Sequence, residues 1–336
     1  MKVGVIGGTR FIGVHLVRAL LERGDEPVLL NRGTSREPEP LARPVERVRG
    51  DRRDPRALDR LLARPLDALI DLCGYAPADV APVLERRGRF GAYVFVSTSS
   101  VYRVPAPVPY DEDSPRRDDR GTYGGDKRAA EDLVLASSTP GQPATVLRPQ
   151  AVTGPWGADQ ALYALRRAAA GSPILLRPGT EGRLLCPVWV GDLVDALLKS
   201  VSEPHAAGKA FDVAGSDAVD ARSYVAAAAL ACGGRADVRI LPPERSADAW
   251  LGLPWLDHDL IASGARARDI LGLQPRPLAA TLASVWAWAA ADPARRRFVP
   301  DRGEKDAGCG RATARWRRTA WRVKDAARRT LRGSRR

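Results

Sequence analysis

The feature that most constrains the fold lies at the N-terminus, where a short apolar segment runs through glycines into a helical pattern. Lys2–Ile6 predicts a β-strand, and the residues that follow are Gly7-Gly8-Thr9-Arg10-Phe11-Ile12-Gly13. A helix is predicted over Phe11–Arg23, because apolar residues recur there at helical spacing. Glycine permits a tight turn and close approach of a ligand, and a helix N-terminus attracts negative charge. This order of elements therefore predicts a site for the diphosphate of a dinucleotide.

The first half of the chain continues to alternate strand-like and helical segments. Further strands are predicted at Pro27–Asn31, Glu46–Arg49, Asp67–Leu72, Ala92–Ser97 and Ala144–Leu147. Parallel strands need crossover connections, and helices supply them, so the fold class is α/β with a doubly wound parallel sheet of the Rossmann type. We predict a dinucleotide-binding domain over 1–150, to which later segments return, and a smaller substrate-binding lobe over 151–293. A basic tail follows over 294–336.

The tail carries nearly all of the chain's net charge of +13. Residues 295–336 contain 16 Lys and Arg against four Asp and Glu, a net charge of +12. Within the tail, 312–331 has a thin apolar stripe at helical spacing, which fits a basic amphipathic helix on an anionic membrane surface or a nucleic acid. The alternative, which we favour slightly, is a solvated, mostly disordered extension.

The cysteines and the hydropathy pattern bear on the compartment. The four cysteines do not have the spacing of a metal site; they are Cys73, Cys186, Cys232 and Cys309. We therefore expect no metal, and we expect the thiols to be reduced. No stretch approaches the roughly 20 apolar residues of a membrane-spanning helix. The apolar run at the N-terminus is shorter than that of a secretory leader. A cytoplasmic protein is the expectation.

Two arginines affect the choice of cofactor. Arg10 stands where a third glycine is common, and Arg32 follows Asn31 at the end of the second strand, where an NAD site usually has an acidic residue. Because guanidinium groups suit phosphate oxygens, we favour NADP, with NAD left open. Asp51 is a candidate adenine contact, with helix capping as the alternative. The predicted cofactor-binding residues are Gly7, Thr9, Arg10, Phe11, Ile12, Gly13, Asn31, Arg32, Asp51, Tyr123 and Lys127.

A second constellation has the residue types of proton transfer. Tyr123 and Lys127 are four residues apart at the start of a predicted helix, so they share one face. A nearby ammonium stabilises a phenolate, which would bring the tyrosine pKa from about 10 toward the working range. Hydroxyl residues Ser97–Ser100 follow the fifth strand, at the sheet edge where such folds bind ligands.

Together these motifs resemble the extended, atypical short-chain dehydrogenases/reductases, the NAD-dependent epimerase/dehydratase family. The resemblance runs from Met1 to about Ala291, and its landmarks include Leu147-Arg148-Pro149 and Val188-Trp189-Val190-Gly191-Asp192. It implies Thr98, Tyr123 and Lys127 as the catalytic residues. It also implies hydride transfer on a secondary alcohol or ketone of a small molecule, such as a nucleotide sugar or a biosynthetic intermediate, and helix-mediated homodimers.

The resemblance leaves several alternatives open. Net reduction and epimerisation use the same three residues, whereas a sugar-nucleotide 4,6-dehydratase is disfavoured because Ser99 and Ser100 replace its Asp-Glu pair. Chloroplast stem-loop RNA-binding proteins share the glycine turn, so RNA binding is a second interpretation, and a membrane-surface enzyme is a third. Arg183 is the predicted substrate-binding residue, ahead of Arg148, Arg166 and Arg167.

Overall fold

The computed structural model describes residues 1–35, 38–157, 160–241, 253, 256 and 258–297. The chain divides into two compact units. The first, which we call the sheet unit, consists of Met1–Gln150, Val190–Ala214 and Ala262–Pro275. The second unit consists of Ala151–Trp189, Gly215–Ile261 and the chain from Arg276. The segments that return to the sheet unit after Gln150 are therefore two, separated by parts of the second unit.

Nine strands are formed by the described residues. In chain order they are β1 (Lys2–Ile6), β2 (Glu26–Asn31), β3 (Glu46–Arg49), β4 (Leu66–Asp71), β5 (Phe90–Val96), β6 (Ala144–Pro149), β7 (Ile174–Leu176), β8 (Ala210–Val213) and β9 (Val238–Ile240). Seven of them form one parallel sheet in the order β3-β2-β1-β4-β5-β6-β8. The sheet confirms the predicted α/β class, and the reversal of strand order beside β1 places the first turn where doubly wound folds bind ligands.

Ten α-helices are formed in the same described ranges. They are α1 (Ile12–Glu22), α2 (Pro55–Leu61), α3 (Pro77–Leu84), α4 (Tyr123–Ala136), α5 (Gln160–Ala169), α6 (Val190–Ser202), α7 (Ala221–Cys232), α8 (Ala265–Leu271), α9 (Leu278–Ala290) and α10 (Pro293–Arg296). In the sheet unit, α1 packs against α6, and α3 packs against α4. Residues of α2, α3 and α4 share one apolar core with the strands. No described helix has the length and apolar character needed to cross a bilayer.

The central strands β1 and β4 are mostly apolar on both faces, as a sheet covered by helices requires. In β1 and β4, Val3, Val5 and Ile70 have no exposed surface. The core packs closely against Gly4 of β1, because a Cβ there would lie 2.6 Å from a methyl group of Leu66 and 2.7 Å from one of Leu69, and both leucines would have to shift. The core thus fixes the sheet whose carboxyl edge forms the candidate site.

The second unit is smaller in regular structure. Its strands β7 and β9 pair in parallel, and α5, α7 and α9 pack against one another. Three short elements are absent from the sequence prediction: β9 and α10 in the second unit, and α8 in the sheet unit. The predicted amphipathic helix at 312–331 lies outside the described residues, as does most of the Pro/Trp-rich stretch from Leu241 to Trp255.

Candidate active site at the carboxyl edge of the sheet

The glycine turn after β1 has the tight geometry that its sequence indicates. Gly7 has a φ of 100°, in a region that favours glycine. A Cβ on Gly13 would lie 2.5 Å from the carbonyl oxygen of Gly7 and 2.7 Å from the Cα of Gly8, so α1 approaches the turn through Gly13. Phe11 is the N-cap of α1 with a φ of 37°, which is strained for a residue other than glycine. The turn is therefore shaped for close approach of a ligand rather than for local stability.

The start of α1 is open to an anion. Within residues 1–35, all of which are described, no side chain caps this helix, and no acidic residue lies in its first turn. The first backbone N–H groups of a helix lack partners within the helix and carry partial positive charge. Thr9 is buried in the turn, whereas Arg10 is exposed beside it. These groups fit the diphosphate of a dinucleotide.

The ends of β2 and β3 form a cationic edge. The Asn31 side-chain oxygen accepts a hydrogen bond from the Gly33 N–H at 3.0 Å, which fixes the turn that carries the exposed Arg32. Asn31 is paired in register with Arg49, the last residue of β3. The Arg49 guanidinium lies against Gly33, since a Cβ there would be 2.8 Å from its Nε. Strand pairing thus brings a second arginine beside Arg32, one that sequence reasoning missed.

Arg10 and Asp51 have other surroundings. The guanidinium of Arg10 acts electrostatically on Tyr75, just beyond β4, and lowers the pKa of its phenol. Asp51 is exposed and accepts a hydrogen bond from the Arg53 N–H at 2.9 Å in the turn before α2. Asp54 is the residue that caps α2, so the carboxylate of Asp51 is not its N-cap.

Thr98 and Tyr123 are brought into contact by two close backbone approaches. A Cβ on Gly124 would lie 2.0 Å from the Ser100 carbonyl oxygen, and one on Gly125 would lie 2.1 Å from the Asp119 carbonyl oxygen. Glycine at both positions therefore lets α4 begin directly against the loop after β5. The Thr98 hydroxyl consequently lies close enough to the Tyr123 phenol to act on its pKa.

The pKa of Tyr123 is raised above its ordinary value, so the prediction that Lys127 brings it down toward the working range is wrong. Although 39% of the residue's surface is accessible, atoms around the phenol desolvate it, and this raises the pKa. The hydrogen bond from Thr98 opposes that effect by stabilising the phenolate. The phenol is therefore protonated at neutral pH, with the Thr98 hydroxyl beside it.

Lys127 is buried one turn further along α4, with 2% of its surface exposed. Its Nζ donates to the Val96 carbonyl oxygen at 2.6 Å and to the Gly74 carbonyl oxygen at 2.7 Å. The Phe95 ring centroid is 4.6 Å from Nζ. Burial lowers the pKa of Lys127 to about 8, with the carboxylate of Asp71 the strongest opposing charge. An ammonium has three protons to donate, so two are committed to carbonyls and one remains.

Unpartnered polar atoms at this edge indicate what it can bind. Of the described residues whose side chains have buried polar atoms without a hydrogen-bond partner, three follow or end strands here. The atoms are the Asn31 amide nitrogen, the Ser97 hydroxyl and both amide atoms of Gln150. Asn31 ends β2, Ser97 follows β5, and Gln150 follows β6. Buried polar groups are normally hydrogen-bonded, so a ligand rich in hydroxyl and amide groups would satisfy them. With the glycine turn, these residues fit a nicotinamide dinucleotide.

Residues 3–214 match the family described as the NAD dependent epimerase/dehydratase family. The match spans well over half of the chain and includes the glycine turn, Thr98, Tyr123 and Lys127. The chain belongs to this family. It is therefore an enzyme of the short-chain dehydrogenase/reductase type, as the sequence motifs predicted.

Individual relatives of the family differ in their named activities. The chain is 27% identical over 294 residues to the chloroplast stem-loop binding protein of 41 kDa b of Arabidopsis thaliana, covering 82% of this chain and 75% of that protein. It is 33% identical over 173 residues to a ceramide reductase of Caulobacter vibrioides, covering 52% of each. The fold is similar to a UDP-glucose 4-epimerase from Thermotoga maritima, with a TM-score of 0.74, 21% identity, and coverage of 87% of this chain and 99% of that one.

Behind the family residues lies a buried cluster that sequence reasoning missed. Asp71 ends β4 with no exposed surface, and the Arg52 guanidinium donates to both of its oxygens at 2.6 and 2.5 Å. The Tyr93 hydroxyl donates to the same carboxylate at 2.8 Å. We call Arg52, Asp71 and Tyr93 the first arginine cluster. The only signal in the sequence was the placement of Asp71 at a strand end.

A second arginine cluster, comprising Arg148, Glu131, Tyr102 and Asp212, removes one candidate substrate contact. Arg148 is 2% exposed, and its guanidinium donates to Glu131 at 2.9 Å and to the Tyr102 hydroxyl at 3.0 Å. The prediction that Arg148 meets the substrate is therefore wrong, because its donors are used in the core of the sheet unit.

The other predicted substrate arginines lie in the second unit. Arg183, the leading candidate, is half-exposed, with its guanidinium 4.0 Å from the carboxylate of Asp259. Arg167 is fully buried and donates to the Pro173 carbonyl oxygen, and Arg166 donates to the Arg295 carbonyl oxygen at 2.5 Å. Arg183 thus remains a substrate-binding prediction, and among the three it has the most accessible guanidinium.

Proposed function

We propose that the chain is an NADP-dependent reductase that converts a ketone of a small metabolite into a secondary alcohol. Bound NADPH supplies a hydride from C4 of its nicotinamide. Tyr123 donates the proton to the carbonyl oxygen, Thr98 orients that oxygen, and Lys127 stabilises the resulting phenolate. The observation that carries the proposal is the close start of α4 against the loop after β5, which puts Thr98 beside the Tyr123 phenol, with the buried ammonium of Lys127 one helical turn away.

The protonated state of Tyr123 is the one from which reduction of a ketone starts. A phenol whose pKa is raised holds its proton at neutral pH, so it is set to donate rather than to accept. Epimerisation, in which oxidation comes first, needs the phenolate and is the alternative within the same site. The names of relatives support both, since they include reductases and UDP-glucose 4-epimerases.

The choice of NADP rests on the cationic edge formed by β2 and β3. Arg32 follows β2 where an acidic residue would bind the ribose hydroxyls of NAD, and Arg49 lies against the adjacent Gly33. Two guanidinium groups there suit a 2′-phosphate. Arg10, on the side of Tyr75, is assigned to the diphosphate, and Asp51 remains a proposed adenine contact.

Cofactor choice is tested by titrating the full chain with NADPH and NADH and following nicotinamide fluorescence. Arg32→Ala and Arg49→Ala should each weaken NADPH binding about tenfold, as expected for loss of one charge-assisted hydrogen bond, and leave NADH binding unchanged. Arg56→Ala, an exposed arginine of α2, is the matched control. Equal losses for both cofactors would contradict the 2′-phosphate assignment.

The chemistry is tested with simple ketone probes. NADPH oxidation is followed at 340 nm with ethyl acetoacetate, a β-keto ester, and epimerisation is assayed with UDP-glucose. Tyr123→Phe should lower the rate about 10²- to 10⁴-fold while leaving NADPH affinity within a few fold. Turnover of UDP-glucose alone would favour the epimerase, and an undiminished rate in Tyr123→Phe would overturn the mechanism.

RNA binding is the second candidate, favoured by the similarity to the chloroplast stem-loop binding protein over most of the chain. Its test is retention on a stem-loop RNA at increasing salt, with the full chain compared with a chain that ends at residue 294. Salt-sensitive retention that needs the tail, without any nicotinamide binding, would favour this reading over the reductase.

A further inference from the structure

The carboxylate of Asp71 organises the turn that follows β4. It accepts hydrogen bonds from the backbone N–H groups of Cys73 at 3.1 Å and Gly74 at 3.0 Å, in addition to those from Arg52 and Tyr93. Arg52 is anchored in turn, because its Nε and a terminal nitrogen donate to the Asp79 carbonyl oxygen at 3.1 and 2.6 Å. The carboxylate and the guanidinium are thus fixed on every side by named partners.

The same turn holds Lys127. The Gly74 carbonyl oxygen accepts a hydrogen bond from the Lys127 Nζ, and the Gly74 N–H donates one to Asp71. Gly74 therefore links the ammonium to the buried carboxylate through its own backbone. The turn has little freedom, since a Cβ on Gly74 would lie 2.8 Å from the Phe95 ring and 3.2 Å from an oxygen of Asp71. Movement of the Asp71 carboxylate would therefore displace the Gly74 carbonyl.

The cost of this arrangement argues that it has a use. Removing a guanidinium and a carboxylate from water is expensive, and well-packed apolar residues often stabilise a core equally well. The sheet has ample apolar packing around β4, where Leu69 and Ile70 have no exposed surface. A buried pair that contacts the Lys127 turn is thus better explained by what it does to that turn than by stability.

We propose that Arg52 and Asp71 are positioning residues, which fix the Gly74 carbonyl so that Lys127 keeps one N–H directed to the reaction. The inference rests on the proposed function, in which Lys127 acts beside Tyr123. Neither residue touches the reacting atoms; both act through the Cys73–Gly74 turn.

Electrostatics gives this proposal a measurable signature. The charged and titratable groups that act on Lys127 are Asp71, Glu131 and Cys73, which raise its pKa, and Arg52, which lowers it. Asp71→Asn keeps an oxygen acceptor for the turn but removes the strongest of the raising charges. The pKa of Lys127 should therefore fall below about 8, and the ammonium should lose its proton near neutral pH.

The readout is the titration of Lys127 itself. The chain has six lysines, so ¹³C-lysine labelling gives few side-chain signals, and the one missing from Lys127→Met identifies Lys127. In Asp71→Asn we expect its midpoint to fall by about one pH unit or more, the scale of a lost close charge. Asp59→Asn, which removes an exposed carboxylate of α2, should leave the midpoint unchanged.

A second variant keeps the test valid if Asp71→Asn fails to fold, as an uncompensated buried guanidinium can cause. The double variant Arg52→Gln with Asp71→Asn removes both charges, and its midpoint should lie between those of the wild type and Asp71→Asn. A folded variant with the wild-type midpoint would overturn the positioning role. The measurement needs no cofactor, so failure of NADPH binding with the midpoint shift intact would instead overturn the proposed function alone.

Discussion

The sheet unit contains two arginine clusters of nearly identical chemistry and different consequence. In each, a buried guanidinium is bound by a carboxylate and a tyrosine hydroxyl contacts the pair: Arg52, Asp71 and Tyr93 in the first, Arg148, Glu131 and Tyr102 in the second. The first is hydrogen-bonded to the turn that holds Lys127, whereas the second joins α4, β6 and β8. The first arginine cluster thus contacts the candidate site, whereas the second connects elements of the fold.

The largest expected effect comes from breaking the second cluster. Glu131→Gln would leave Arg148 and Arg116 without their shared carboxylate, and we expect a loss of about 3–5 kcal/mol in the free energy of unfolding. Urea denaturation measures it, with the neighbouring Asp132→Asn as control, which should cost less than about 1 kcal/mol. A loss below that value in Glu131→Gln would mean that the second cluster does not hold the fold.

An effect of intermediate size is the pH dependence of the free energy of unfolding, which differs between the two clusters. Burial raises the pKa of Asp212 to about 7, whereas the pKa of Asp71 is lowered through Arg52 despite its burial. A carboxyl whose folded pKa is raised binds its proton more tightly when folded, so stability falls as pH rises from about 4 to about 7 and is level above that.

Asp212→Asn removes this dependence. Relative to the wild type, the variant should gain about 2 kcal/mol of unfolding free energy between pH 5 and pH 8. Urea denaturation at both pH values checks it, and Asp195→Asn, an exposed carboxylate of α6, should follow the wild type. A constant difference between Asp212→Asn and the wild type would show that Asp212 does not titrate in this range.

The smallest effect compares the two tyrosines directly. Tyr93→Phe and Tyr102→Phe each remove one buried hydroxyl that donates to a carboxylate, so each should cost about 1–2 kcal/mol of unfolding free energy. Only Tyr102→Phe should raise the pKa of Asp212 further, because that hydrogen bond lowers it. A change in the Asp212 titration caused by Tyr93→Phe would show that the clusters are coupled rather than separate.

The fold was largely predictable because its signals are local. The limits of β1 and β3 agree with the prediction to the residue. The helix α8 was not predicted because it has only seven residues between two left-handed glycines, Gly264 and Gly272. The strand β9 escaped because its three residues pair only with β7 and two of them are exposed.

The candidate site was predictable only where its residues form a motif. Tyr123 and Lys127 stand at a recognisable four-residue spacing, and the family resemblance implies Thr98. No local pattern pairs Arg52 with Asp71, 19 residues away, or Lys127 with Gly74, 53 residues away. Arg148 illustrates the opposite error, because an arginine at a strand end resembles an anion contact until its buried partner Glu131 is seen. Long-range pairing of charges is set by packing, which a single sequence does not display.

The central claim is that Lys127 and its neighbours form a nicotinamide site, and the most direct test is an NADPH titration of the full chain followed by nicotinamide fluorescence. We expect saturable binding that weakens at least about tenfold in Lys127→Met, since a hydrogen bond from a charged donor is lost. Lys209→Met, at a partly exposed lysine bonded only to the His205 carbonyl oxygen among the described contacts, should bind like the wild type. Absence of binding in the wild type, or equal affinity in Lys127→Met, would contradict the account.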